Sequence, residues 1–164
     1  MHREVVYWLR SVRKKHPHLF NGGRVLECGA RHRGWNSRAL FPLAEYIGLD
    51  AQEGQGVDVV GLIHEYVPDA PFDVVLSTST LEHDPYWQQS LTAMADALKP
   101  GGALILTFAG PGYPEHETQD SPEPGYYENR SVEDVAAALG DAFRVLEVQQ
   151  DGIDVFVLGL ERRE

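Results

Sequence analysis

The architecture turns on one segment, Arg24-Val25-Leu26-Glu27-Cys28-Gly29-Ala30-Arg31-His32-Arg33-Gly34. A short apolar run ends in a carboxylate and then in glycine. A run of that length bounded by turn residues reads as a buried strand rather than a helix. Just upstream, Asn21-Gly22-Gly23 is a turn. Before it, Val5, Val6, Leu9 and Val12 recur at helical spacing, which predicts a helix over 3–16 closed by Pro17.

Downstream the pattern alternates. A helix is expected around 37–41, a second strand at 46–50, a third at 57–60 and a fourth at 72–77. The fourth has the continuous apolar run of a central parallel strand. Asp84-Pro85 reads as a helix start, because aspartate caps free N–H groups and proline is tolerated in the first turn. Leu91, Met94, Ala95 and Leu98 then share one face, and Lys99-Pro100-Gly101-Gly102 stops the helix. A fifth strand covers 103–108. Ser131 with Asp134 three positions on resembles a capping box for a helix to about Leu139. Residues 144–148 and 154–160 form a closing hairpin around Gly152. Strands alternating with helices predict a three-layer, Rossmann-like α/β sandwich. Its seven-stranded sheet is mostly parallel and ends in an antiparallel hairpin. Residues 109–130 are rich in proline and glycine and lack periodicity. Unstructured loops of that length usually serve function.

The 164 residues suit a single domain, 1–164, with an N-terminal helix inside 1–20. The single cysteine, Cys28, cannot build a disulfide framework, so an intracellular protein is expected. Met1-His2-Arg3-Glu4 lacks the pattern of a signal peptide, and no segment has the roughly 20 apolar residues of a membrane span. A cytoplasmic protein with no membrane partner is the expectation. Net charge is −11, but residues 1–38 hold nine Lys/Arg against two acids. The acidic balance argues against nucleic acid as partner. A homodimer is left open.

In open α/β sheets ligands bind beyond the carboxyl ends of the strands. The residues there are Glu27 to Gly34 after strand one, Asp50 after strand two and Ser77 to Pro85 after strand four. Four segments are in register: Val25-Leu26-Glu27-Cys28-Gly29, Asp50, Leu81-Glu82-His83 and Leu98-Lys99-Pro100-Gly101-Gly102. Together they resemble the class I, Rossmann-like S-adenosylmethionine-dependent methyltransferases of the small-molecule type. The resemblance covers roughly 20–110. In that family the first loop continues with two more glycines. Here Arg31 and Arg33 stand in their places.

The resemblance implies S-adenosylmethionine as cofactor. It also implies a small-molecule or glycan acceptor, methylated on oxygen, nitrogen or carbon. Glu27 would take the cationic amino group of the methionine part. Gly29, Ala30 and Arg31 would approach the donor through backbone. Asp50, followed by Ala51, would accept the ribose hydroxyls, since a charged acceptor makes the stronger bond. Leu62 and Ile63 would flank adenine, with Ser77 and Thr78 completing the cleft. His83 would lie near the methyl group and can act as a base, because histidine titrates near pH 6.5. Tyr86, Trp87, Tyr113 and His116 would wall the acceptor side. His64, His83 and His116 lack the tight spacing of zinc ligands, so no metal is expected. Two rivals remain: a donor-binding module without catalysis, and a nucleotide-dependent oxidoreductase. The second needs backbone approach at position 31, where arginine fits poorly.

Overall fold

A computed structural model describes residues 3–32, 34–116 and 121–164. Helix α1 spans Arg3–Lys15 and is followed by a 3-10 turn at Pro17–Phe20. Strand β1 is Arg24–Cys28, β2 Glu45–Asp50, β3 Val59–Val60 and β4 Phe72–Thr78. Helix α2 is Trp87–Asp96, β5 Leu98–Ala109, α3 Val132–Leu139, β6 Phe143–Asp151 and β7 Asp154–Arg162. The seven strands run β3-β2-β1-β4-β5-β7-β6. The first five pair in parallel, and β7 inserts antiparallel between β5 and β6. This is the expected mostly parallel sheet with its antiparallel C-terminal hairpin.

Strand periodicity sorts the sheet into two faces. Val25, Val74, Leu76, Ile105, Phe156 and Leu158 meet Val5, Leu9 and Val12 of α1. Leu26, Val75, Leu104, Leu106, Val155 and Val157 instead meet Leu91 and Met94 of α2 and Val135 and Leu139 of α3. The three layers follow from this alternation. Because Val25 faces α1, Glu27 points to that side too, whereas Cys28 is buried on the other.

Several elements depart from the expectation. The helix expected at 37–41 is a single 3-10 turn, Ser37–Leu40. A 3-10 turn at Leu81–His83 precedes α2, so the helix begins at Trp87, not at Asp84. Asp84 still organises that start. Its buried carboxylate accepts the Tyr86 N–H at 2.8 Å and the Ser90 hydroxyl at 2.5 Å. The Lys99–Gly102 segment does not merely stop α2. It bulges from the first turn of β5, where the register with β4 slips between Phe72 and Val74. Asp73 holds that corner by an ion pair with Lys99 and by accepting the Arg24 N–H at 2.8 Å. Leu98 accordingly belongs to β5 rather than to the face of α2.

The capping box of α3 is present. Ser131 Oγ accepts the Asp134 N–H at 3.1 Å, and Asp134 turns back to the Ser131 N–H. Ser131→Ala is expected to cost about 1 kcal/mol, read as a lower denaturant midpoint at unchanged slope.

Candidate active site

The strand order reverses at β1, which has β2 on one side and β4 on the other. A crevice must open there, outside the carboxyl ends of both strands. A cleft of about 130 Å³ does so, lined by Glu27, Gly29, Ala30, Arg31, His32, Trp35, Ser37, Thr78 and Ser79. It joins the residues just after β1 to the end of β4.

Glu27 forms the buried wall of this cleft and is 4% exposed. The Tyr46 hydroxyl donates to its Oε2 at 2.9 Å. Burial pushes its carboxyl up to about 7. The Tyr46 bond and the nearby Ser37 and Arg38 work against that rise. Among the described residues His32 Nε2 and Trp35 Nε1 are buried without a hydrogen-bond partner, and Ser37 Oγ, though close enough to Glu27 to lower its carboxyl, makes no well-formed bond either. Buried polar groups are normally satisfied. Three orphans lining one cleft, beside a carboxyl poised between charge states, suit a polar, charged ligand. The donor set fits S-adenosylmethionine, whose methionine part ends in an ammonium group and a carboxylate. Glu27 would hold the first, and Trp35 and Ser37 can donate to the second.

The remaining first-loop residues are occupied by the fold. Gly29 has φ +77°, and a Cβ there would lie 2.0 Å from Thr80 Oγ1. The Arg31 N–H donates to Asp50 Oδ2 at 3.0 Å, and its guanidinium reaches Gln52 Oε1 at 2.8 Å. Its stem lies against Gly54. The large cation that replaces a family glycine thus runs along the loop after β2. Arg33 lies outside the described residues. Asp50 also accepts the Gln52 N–H at 3.0 Å and does not line the cleft. Each carboxylate oxygen keeps a second acceptor site. Ala51 follows in the same turn, half-buried. Ser77 is buried and donates to the Cys28 carbonyl at 2.9 Å, tying β4 to β1, while Thr78 reaches the cleft. Leu62 and Ile63 are half-buried where a 3-10 turn begins, away from the cleft lining. Ile63 packs on the α2 side of the core.

A second group lies beyond β4. The His83 ring is 5.2 Å from His116 and 5.2 Å from Tyr127, centroid to centroid. Tyr127 stands 4.6 Å from His116 and 6.4 Å from Tyr113. The long loop therefore folds back over His83 and brings three of the singled-out residues together. Tyr127 is its unforeseen centre. Among the bonds that fasten the loop, Ser121 Oγ donates to the His83 carbonyl at 2.7 Å and the Glu128 N–H to the Glu82 carbonyl at 2.8 Å. Tyr86 and Trp87 lie elsewhere. The Tyr86 ring meets His64 at 4.5 Å and its hydroxyl donates to Glu123 at 3.1 Å. Trp87 packs on the core beneath the Arg130 guanidinium, 4.9 Å from its ring centroid. Among the described residues no three His, Cys, Asp or Glu side chains gather to hold a metal ion.

Glu82, inside the same turn as His83, is 4% exposed. Burial pushes its carboxyl up to about 7, against the pull of backbone amides. Glu27 and Glu82 thus keep their protons up to about pH 7 when folded but lose them near pH 4.5 when unfolded. Stability contributed by their neutral forms is present below pH 4.5 and is lost as pH rises through 7. The melting temperature is expected to fall between pH 5 and pH 8, each group accounting for roughly 2–3 kcal/mol. Glu82→Gln, which cannot ionise, should flatten part of that fall.

The fold defines a Rossmann-like α/β domain with a cleft at its topological switch point. A family model described as a methyltransferase domain matches residues 2–148. The chain belongs to this methyltransferase-domain family, and within it to the class I, Rossmann-like type. The fatty-acid O-methyltransferase of Mycolicibacterium smegmatis is 35% identical over 114 residues. That alignment takes in 58% of this chain and 41% of that protein, so the chain spans less than half of its length. Among solved structures, the Burkholderia thailandensis 1,6-didemethyltoxoflavin-N1-methyltransferase, with its substrate and S-adenosylhomocysteine bound, aligns at TM-score 0.67. It shares 20% identity, with coverage of 99% of this chain and 78% of that one. The sugar N-methyltransferase KedS8 from a Streptoalloteichus species aligns at TM-score 0.68 with 17% identity, covering 98% and 87%. No helix among the described residues is long and apolar enough to cross a membrane.

Proposed function

We propose that the chain transfers a methyl group from S-adenosylmethionine to a nucleophilic oxygen, nitrogen or carbon of a small-molecule or glycan acceptor. The observation that carries this reading is the β1–β4 cleft, where Glu27 and the orphaned Trp35 and Ser37 atoms meet in a methyltransferase-family chain. When bound, the donor supplies a methyl group already activated by its sulfonium. The protein's part is to align and to exclude water. Glu27 holds the ammonium end. Asp50 would accept from the ribose, and Leu62 and Ile63, outside the cleft lining, would flank an adenine that extends beyond it.

The ring group around His83 receives the acceptor. Tyr113, His116 and Tyr127 shield it from solvent. The role of His83 depends on the acceptor atom. A hydroxyl must lose a proton, and His83 is the base within reach of that side. A carboxylate is ionised at neutral pH and needs only a donor, which a histidine N–H supplies. The relative's activity on a fatty acid favours the carboxylate.

The test pairs binding with turnover. Thermal-shift titration with S-adenosylmethionine and S-adenosylhomocysteine should raise the melting temperature. Donor labelled in its methyl group should then pass label to a fatty acid. A shift with no transfer to fatty acids, sugars or heteroaromatic amines would favour a binding module. No shift with either ligand would sink both readings.

A further inference from the structure

Among the described residues beyond α1, Arg24, Arg38, Lys99, Arg130, Arg144 and Arg162 sit in ion pairs. Helix α1 behaves differently. It carries Arg3, Arg10, Arg13, Lys14 and Lys15 against one acid, Glu4. None of the five forms an ion pair among the described residues, although residues 39–164 hold 23 acids.

Spacing places three of the five cations on one line. Val5, Leu9 and Val12 are buried against the sheet. Arg3, Tyr7, Arg10 and Lys14, spaced four, three and four residues apart, are exposed on the outer side, with Lys15 beside them. Three- and four-residue steps keep side chains on one face. The stripe runs about 16 Å. Tyr7 stands in its middle, 57% exposed, with the Arg3 guanidinium 5.9 Å from its ring centroid.

We propose that the outer face of α1 is a peripheral docking surface for an anionic phospholipid bilayer. The complementarity is electrostatic. A polar-tipped ring between cations suits the headgroup layer, where tyrosine is enriched. Juxtaposed Lys and Arg gain favourable energy from an anionic leaflet. The apolar side of α1 is already used by the core, so the helix rests on the surface and does not insert. The acid-rich remainder is repelled by the same surface and turns α1 toward it. Grooves for polynucleotide track a backbone with cations from several elements, whereas these lie on one convex helix. The expectation of no membrane partner came from the lack of a spanning segment. It does not bear on a protein held by charge.

The experiment is co-sedimentation of the chain with vesicles of phosphatidylcholine alone and of phosphatidylcholine doped with phosphatidylglycerol. Partitioning should be about tenfold or more stronger on the anionic vesicles and should fall with added salt. The double variant R10E/K14E should return binding to the phosphatidylcholine level. Both side chains are exposed, so its melting temperature and its response to S-adenosylhomocysteine should match the parent and show that it folds. Equal partitioning on the two vesicles would overturn the proposal, as would anionic binding undiminished in R10E/K14E. Tight binding to an oligonucleotide with none to vesicles would overturn it in favour of a polynucleotide. None of these readouts depends on methyl transfer.

Discussion

Glu27→Gln is expected to weaken S-adenosylmethionine binding by about 10- to 100-fold, the worth of one hydrogen bond to a charged group. The argument begins with burial. Glu27 is almost fully enclosed, and burial pushes its carboxyl up to about 7. In the ligand-free protein at neutral pH it is divided between its two forms. An arriving ammonium group pairs only with the carboxylate. Parent affinity should therefore rise from pH 6 to pH 8, as the proton no longer has to be displaced. Glutamine can still accept the Tyr46 hydroxyl, so the cleft keeps its shape, but it carries no charge at any pH. The variant should bind weakly with a flat profile over that range. S-adenosylhomocysteine, which keeps the ammonium and lacks the sulfonium, should lose as much. Parent-like affinity with the parent's pH slope would show that Glu27 does not touch the cation. Stability should move the other way: the variant loses an ionisable group that burial disfavours, so its melting temperature at pH 8 should not fall.

Gly29→Ala should destabilise the fold by roughly 2–4 kcal/mol. Two costs combine. The residue sits at φ +77°, where an L side chain is strained. Its new Cβ would also lie 2.0 Å from Thr80 Oγ1 and 2.8 Å from Thr80 Cβ. Thr80→Ala removes the first contact and leaves the second, so the double variant should recover part of the loss. The two substitutions should be non-additive, as expected of neighbours in contact. Thermal melts of the four proteins measure this. The reading from sequence gave Gly29 the role of letting backbone approach a ligand. In the structure the close approach is to Thr80, in the turn after β4. If G29A kept parent stability and lost only donor binding, the ligand would be the reason for glycine.

What was legible in the sequence was whatever local pattern determines. The strands announced themselves as apolar runs ending in turn residues, and Ser131 with Asp134 announced a cap. The mostly parallel sheet covered on both faces followed from the alternation of strands and helices, whereas strand order and register came only from the structure. The 3-10 turns at 37–40 and 81–83 were harder, because one turn has too few residues to show a period. The site divided in the same way. Glu27 and Gly29 were visible because they end a strand. Trp35, His32 and Ser37 were not, because the irregular loop after Gly29 sets their place. Ser79 holds φ +51° in the cleft wall, a conformation no side chain type advertises. Tyr127 was hidden for the same reason: only the return of the long loop onto His83 gives it neighbours. Trp87 looked like a pocket aromatic by its place in the chain, yet the fold spends it on Arg130 and the core.

Calorimetric titration of the chain with S-adenosylhomocysteine, run at pH 6 and pH 8 in buffers of different ionisation heat, puts the proposed donor site to trial. The proposal predicts one site per chain, tighter binding at pH 8, and proton release on binding at pH 6 that shrinks at pH 8 and disappears in Glu27→Gln. Saturable binding that is independent of pH and unchanged in Glu27→Gln, or no binding heat at any concentration, would contradict it.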